Sequence, residues 1–496
     1  MSCRFEYILG GTIAIVLLFL SGTSHAIPAF SRANKVECST CHTIFPELNE
    51  YGEAFLKNSY VYFGKGKKAA SEKTKDASAV AEAKRAAVAP VESDIQGAGD
   101  PELLKKLKAG RMVSGDAPAT SSAAAPEAEA DNGTAAVSGE PKSEGIALSG
   151  IPDLLPISFT ANLTGTYIRN AVNEFDFSTR ALKLNAGCNF KGKAGFFGTY
   201  LVYTENAAGL ANTGNTPTNM TGKNDIGELF LIWRHALDTP VNIKVGRFQP
   251  KLGLWKSNNR LSATNPYVTY SYTVGVSPFK LEQSQDAVEA NMILANRLFM
   301  AGGVVNRKDQ NTKEWYVHSS VKFGGADYVA NEPDIDLNQE ESIFDFLTLT
   351  IGGYGYVGTN GDPNTVVGVT PRQNEYYRAG VDVDLLYKLF RLKLSGVVGH
   401  DDNPDLTYAL PPMKSYTAAI EGEYTILRNL IGALRFEYAN DGVNVYRRFI
   451  PALAYAPIEN VKVAVEYKQE YGISYKTAGN TAIDNQIGTL GITFGF

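Results

Sequence analysis

The chain has 496 residues, with 47 Lys+Arg against 52 Asp+Glu for a formal charge of −5, and it carries 26 Tyr, 24 Phe and 3 Trp but only four Cys and five His. A near-neutral acidic balance excludes a nucleic-acid binder, which needs a basic stripe, and four Cys at this length exclude a small disulfide-stapled scaffold. Only one stretch is apolar enough for a membrane helix, and its place at the extreme N-terminus excludes a helical transmembrane bundle.

That stretch, residues 1–26, has Arg4 near its start, an apolar run from Ile8 to Leu20 broken by Gly10, Gly11 and Thr12, and Ser24-His25-Ala26 at its end. A basic start, an apolar run shorter than the about 20 residues a span needs, and small residues at the end predict a secretory signal cut after Ala26. Cys3 leaves with it.

Residues 27–63 are aromatic and hold two of the three remaining cysteines, in the run Cys38-Ser39-Thr40-Cys41-His42. This is the C-x-x-C-H motif of c-type haem attachment. Thiols at this spacing can each add to one vinyl group of a porphyrin, and the adjacent imidazole then lies beneath the iron. Zinc would want two further ligands nearby, and the neighbouring sequence offers none. The motif predicts one covalent haem c, held by Cys38 and Cys41 with His42 as proximal iron ligand. Downstream, Phe45, Leu48, Gly52 and Phe55 recur at helical spacing, with Pro46 suited to a first turn, which predicts a helix with one face for the porphyrin.

From residue 64 to about residue 150 the composition collapses to Ala, Glu, Lys, Ser, Gly and Pro with no aromatic. Such a segment buries too little apolar surface to offset its ordering entropy and is predicted to be a flexible linker. One short helix is predicted within it at 101–109, with Asp100 as N-cap, Pro101 in the first position and Gly110 as terminator.

Residues 151–496 change to runs of 10–14 residues in which apolar and polar side chains alternate, as in Val461, Val463, Val465 and Tyr467 against Lys462, Ala464, Glu466 and Lys468. Period two gives each strand one greasy and one charged face. About sixteen such strands follow one another. Connections alternate between tight (192–193, 236–240, 296–297, 387–390, 427–429, 457–460) and long (206–224, 251–285, 358–374, 400–413, 472–485), the signature of an outer-membrane β-barrel. The fold class is therefore all-β, with a small helical N-terminal module. In the last strand Leu490, Ile492, Phe494 and Phe496 form one apolar face, similar to the terminal signal read by the barrel-assembly machinery of Gram-negative bacteria. Residues 324–344 break the pattern, because a turn expected to be short is long and acidic; fourteen and eighteen strands are the alternatives.

Strand phase predicts where chemistry faces. His318 shares a face with Tyr316, Ser320 and Lys322 and is expected in the lumen, which makes it a distal-ligand candidate for the iron. Met300, beside Phe299 near a tight turn, is a second. The lumen is expected to mix Arg378, Lys393 and Arg435 with Asp382, Asp384, Glu421, Glu423, Glu437 and Glu466, and loop 251–285 is long enough to fold inward. Met292 and Cys188 are expected to face lipid. In a long connection His400-Asp401-Asp402 joins an imidazole to carboxylates, a donor set that suits iron(II), and is the candidate extracellular iron site.

The stretch from Ile27-Pro28-Ala29-Phe30 through the haem motif to Phe45-Pro46-Glu47-Leu48, Gly52, Phe55 and Tyr60 resembles the N-terminal module of the fused monohaem cytochrome-porins. Those are outer-membrane proteins associated with iron(II) oxidation and extracellular electron transfer, and their order of parts matches. Ser59 stands where a glycine is expected before Tyr60, and the linker is longer than usual for the family. The run Val245-Gly246-Arg247-Phe248-Gln249-Pro250 is similar to a strand-end motif of phosphate-selective-type porins. The resemblance implies an electron-transfer conduit acting between an extracellular donor or acceptor, iron(II) foremost, and a periplasmic c-type cytochrome, possessing if it is an enzyme an iron(II):cytochrome c oxidoreductase activity. The alternative is a diffusion porin that tethers a periplasmic monohaem carrier.

Overall fold

The computed structural model describes residues 36–58, 60, 157–190, 193–204, 225–250, 252–255, 261, 267–274, 277–280, 284–306, 313–331, 342–361, 373–405, 411–475 and 480–495. The predicted signal at 1–26, the resemblance residues 27–30, the linker with its helix at 101–109, and Phe496 lie outside them.

Sixteen antiparallel strands close on themselves. In chain order they are β1 (Ile157–Ile168), β2 (Phe175–Phe190), β3 (Ala194–Thr204), β4 (Asp225–Trp233), β5 (Val241–Phe248), β8 (Gln285–Leu294), β9 (Leu298–Asn306), β10 (Lys313–Phe323), β11 (Leu347–Gly361), β12 (Gln373–Tyr387), β13 (Phe390–Asp401), β14 (Met413–Leu427), β15 (Leu430–Asn440), β16 (Asn444–Ile458), β17 (Val461–Ser474) and β18 (Thr481–Gly495). Strands β6 (Ser271–Val274) and β7 (Ser277–Lys280) form a separate hairpin in the long connection after β5. The barrel shuts where β18 pairs with β1, Gly495 opposite Thr160 and Ile492 opposite Leu163. Closure leaves no strand edge unpaired, the condition for a sheet to sit in hydrocarbon. Among the described residues no helix is long and apolar enough to cross a membrane.

Alternation explains why each strand holds its register. In β10, Glu314, Tyr316, His318, Ser320 and Lys322 are buried while Trp315, Val317 and Phe323 stand exposed on the outer face. Slipping by one residue would turn the buried Glu314, His318 and Lys322 outward and the apolar Trp315 and Val317 into the lumen, so the alternation fixes the register. At the end of β5, Gly246 has φ +133°, and a Cβ there would lie 2.3 Å from the Leu229 carbonyl oxygen, so this strand end needs glycine.

Among the described residues, parts of the connection after β5 and of the N-terminal segment pack against the inner wall. The described part of the connection 249–284 is bonded to inward-facing groups: Leu254 N donates to Asp382 Oδ2 (3.2 Å), Val268 N to Glu437 Oε1 (3.0 Å), Ser395 Oγ to Thr269 Oγ1 (2.8 Å), and Lys462 Nζ to the Leu261 carbonyl (3.2 Å). The second is the N-terminal segment 36–60, with one helix, α1 (Glu50–Lys57). It lies at the tight-turn end, where the long β10–β11 connection joins it. Arg297 takes the carbonyls of Gly324 (2.8 Å) and Gly325 (3.3 Å), and Tyr328, fully buried, lies under Lys57 with Nζ 3.7 Å from the ring centroid. The connection that breaks the short-turn pattern thus packs on the N-terminal segment, and the strand number is sixteen.

Candidate functional site

The motif occupies a single 3-10 turn, Cys38–Thr40, with the Cys41 and His42 amides both donating to the Cys38 carbonyl (3.1 and 3.0 Å). Asn49 fixes this turn to α1. Its side-chain oxygen caps the helix by accepting from Gly52 N (2.9 Å), and its Nδ2 donates to the carbonyls of Ser39 (3.0 Å) and Thr40 (3.2 Å). Its own amide donates to the Cys41 carbonyl (3.0 Å). Helix and motif meet so closely that a Cβ on residue 52 would lie 2.1 Å from that carbonyl oxygen, which only glycine permits. The helix starts later than periodicity predicts: Pro46 and Leu48 precede it, because the chain between His42 and Asn49 doubles back and only Gly52 and Phe55 lie on α1.

That reversal orients the imidazole. His42 Nδ1 stands 3.3 Å from the Glu47 carbonyl oxygen, and the Phe45 ring meets the imidazole edge-on with centroids 5.3 Å apart. A carbonyl facing Nδ1 accepts a hydrogen bond from it, which keeps the proton on Nδ1 and leaves Nε2 as the basic nitrogen, the arrangement that holds an iron-ligating histidine in one tautomer. Burial lowers the His42 pKa to about 4, so the ring is neutral at physiological pH, and burial pushes the Cys41 thiol up to about 11. A buried Cys38, a half-buried Cys41 and a neutral, oriented imidazole on one turn fit a covalently attached haem. Among the described residues no group of three or more His, Cys, Asp or Glu side chains is arranged to hold a metal ion by itself.

Charged contacts tie this segment to the wall. Cys38 N donates to Glu459 Oε2 (3.2 Å) in the β16–β17 turn. Glu47 Oε1 accepts from Lys393 Nζ (2.5 Å) and Arg391 Nη1 (3.1 Å), Lys322 Nζ pairs with Glu50 Oε1 (3.1 Å), and Arg234 Nη2 donates to Asn58 Oδ1 (2.9 Å). Lys57 pairs with Glu53 (2.7 Å) and donates to Ser320 Oγ (3.4 Å). Apolar contacts accompany them: Ile44 packs with Leu261, Ile431, Ala454 and Ala464, and Tyr60 stacks on Phe197 at 5.5 Å. Sequence phase predicts Lys393 in the lumen; nothing local marks Glu47, Glu50 or Asn58 as partners of the wall, since each meets a residue far away in the chain, Glu47 and Lys393 being 346 positions apart and Asn58 and Arg234 176.

The other candidates form no common site: His318 and Met300 lie on the paired strands β10 and β9 but face opposite sides of the wall. His318 is fully buried on the inner face of β10, and its Nδ1 contacts the Leu252 carbonyl oxygen of the inward-packed connection (2.7 Å). Met300 is a correction: it is 37% exposed and pairs with Met292, while its neighbours Phe299 and Ala301 are buried, so it stands on the outer face away from any haem in the lumen. The iron site expected at His400-Asp401-Asp402 is also corrected. Asp401 turns inward, paired with Arg378 Nη2 (2.7 Å) and accepting from Asn374 Nδ2 (2.9 Å), whereas His400 Nε2 contacts Asp402 Oδ1 (2.9 Å) on the outer wall, its ring stacked on Tyr377. Strand alternation continues through Asp401 and parts it from His400 and Asp402, so the three donors do not converge. The free Cys188 pairs in register with Phe196 on the outward face.

No family model matches the chain, and no curated protein matches it. Solved structures similar to it are OmpT of Vibrio cholerae (10% identity, 69% of this chain and 97% of that one, TM-score 0.45), an anion-selective porin from Comamonas acidovorans (10%, 68% and 98%, 0.44) and the outer membrane channel DcaP of Acinetobacter baumannii (12%, 68% and 96%, 0.41). The closed barrel with its apolar exterior and polar interior is itself the porin-like, outer-membrane architecture.

Proposed function

We propose that the chain is an outer-membrane electron-transfer protein, with one covalent haem c carried by the N-terminal segment within the barrel, passing electrons between an extracellular partner, iron(II) foremost, and a periplasmic c-type cytochrome. In this reading Cys38 and Cys41 form the thioethers and His42 the proximal ligand. A haem so held supplies a one-electron couple. The observation that carries the reading is that the turn bearing the motif is bonded to the barrel's inner wall, Glu47 to Lys393 and Arg391 above all. Asn49 and Gly52 keep motif and helix together, the Glu47 carbonyl orients His42, and the wall holds the assembly in place. An electron carrier inside the barrel stands closer to an outside donor than one free in the periplasm. The resemblance of residues 27–60 to the monohaem cytochrome-porins agrees with it.

The second reading, a diffusion porin with a tethered periplasmic carrier, draws on the barrel architecture and on the half-exposed inner wall at β18, β1, β2 and β3. It requires the segment 36–60 to leave its ion pairs. Haem-peroxidase staining of a denaturing gel tests what both share: the full-length band should stain, and Cys38→Ala with Cys41→Ala should remove the stain. A band that stains equally in the double variant contradicts covalent attachment at this motif.

A further inference from the structure

Glu47 serves two partners at once. Its carbonyl oxygen faces His42 Nδ1 at 3.3 Å and accepts from Thr43 N at 3.1 Å, while its side chain, 2% exposed, is held by two cations of the β13 wall, Lys393 Nζ at 2.5 Å and Arg391 Nη1 at 3.1 Å. Both cations are anchored on the barrel side as well: Arg391 pairs with Asp384 (2.6 Å), and Lys393 lies against Glu423 and within 3.6 Å of Glu421. Glu421 continues the chain to Arg435 (3.7 Å) and accepts from Tyr267 OH of the inward-packed connection. A residue that orients the histidine is therefore clamped through its carboxylate to a charge network of the transmembrane wall.

We infer that Lys393 and Arg391 are positioning residues for the haem iron: acting through Glu47, they hold the carbonyl that orients His42 and offset the carboxylate charge beside it, so the barrel wall sets the redox potential. The inference rests on the function proposed above. Its physics has a definite sign. A buried negative charge near the iron favours the oxidised, more positive state, and a nearby positive charge opposes that preference. Burial makes such effects larger than they would be in water. Partners outside the first ligand shell tune a metal site through ligand orientation and local charge, and here both come from a different domain of the chain.

The test is a mediated redox titration of the full-length protein in detergent, following the haem absorbance. Glu47→Gln, which keeps the shape and removes the charge, should raise the midpoint potential, and Lys393→Met, which leaves the carboxylate without its closest cation, should lower it. Each shift should change the oxidised-to-reduced ratio about tenfold at fixed ambient potential, or about 59 mV for one electron. The double variant should lie between them. A purely structural role would loosen His42 in either variant and move both potentials the same way, so opposite signs are the diagnostic outcome. If Lys393→Met fails to give a heat-modifiable barrel, Arg391→Met repeats the test on the same carboxylate oxygen. Potentials that move together, or stay within error of the parent, overturn the inference while leaving the haem in place. Absence of haem stain from the parent protein overturns the proposed function itself, and the inference with it.

Discussion

The inner wall of the barrel has two unlike halves. From β8 to β17 many inward side chains are long, charged or aromatic and lie buried: Glu289, Glu314, Lys322, Arg378, Asp382, Lys393, Glu421, Arg435 and Glu466 are all at most 3% exposed. From β18 through β1 and β2 to β3 most inward side chains are short and uncharged, with Lys183, opposite Thr160, and Phe197, stacked on Tyr60, as exceptions. Thr160, Asn162, Thr166, Asn185, Thr199 and Thr493 are half-buried, and the bonds there join neutral groups, Asn185 Nδ2 donating to Thr160 Oγ1 (3.1 Å) and Thr199 Oγ1 to Asn185 Oδ1 (3.0 Å). The difference teaches what fills a barrel. A buried charge is tolerable only with a partner, so a wall crowded with charges must be met by a segment that supplies counterparts, as Glu47, Glu50 and Tyr267 do. A wall of hydroxyl and amide groups needs none, because water satisfies it.

The largest expected effect comes from removing the filling. Deletion of residues 27–150 should raise planar-bilayer conductance severalfold, because the half closed by the N-terminal segment would open while the uncharged half stays as it is. Equal conductance in the two proteins would show that the segment does not obstruct the pore. A stability contrast sharpens the same comparison. Arg435, buried between Glu421 and Glu437 with its guanidinium 4.9 Å from the Tyr267 ring centroid, is committed on every side. Arg435→Met should cost about 3–5 kcal/mol, and Thr160→Ala on the other wall about 1 kcal/mol, both read from urea unfolding in detergent. Similar losses at the two sites would deny the division.

The smallest effect is a pH dependence at the seam between helix and wall. Desolvation works to lower the Lys57 pKa, but Glu53 and Tyr328 outweigh it and hold the ammonium above its ordinary value of 10.5. A raised folded pKa gives stability that is complete below the unfolded value and is lost as pH rises through the folded one. Protease access to α1 should therefore stay constant up to about pH 10 and increase beyond it, and Lys57→Met should abolish that increase. A steady rise from pH 7 would contradict the assignment.

Most of the wall was legible in the sequence, because period two fixes which residues share a face; β10 reads inward and outward as its alternation predicts. Phase failed where both faces are apolar. In β9 the buried set Phe299, Ala301 and Val305 is as greasy as the outward Met300 and Val304, so nothing in the pattern told Met300 which way to face. At His400 the sequence predicts a long connection, but β13 continues through Asp401, and strand geometry parts Asp401 from its neighbours. At the motif Cys38-Ser39-Thr40-Cys41-His42 the haem expectation rests on spacing alone. The ties that seat the segment are not legible in that way, since Glu47 and Lys393 meet across 346 positions and no local periodicity records such a pair.

The most direct test of the account is whether an extracellular reductant reaches the haem. In intact cells expressing the full-length protein, iron(II) presented as a membrane-impermeant chelate should reduce the haem rapidly, and Cys38→Ala with Cys41→Ala should remove the signal. A haem that stains on gels yet stays oxidised under the chelate, in a barrel that conducts ions freely, would contradict a redox centre inside the barrel and identify a porin with a tethered periplasmic carrier.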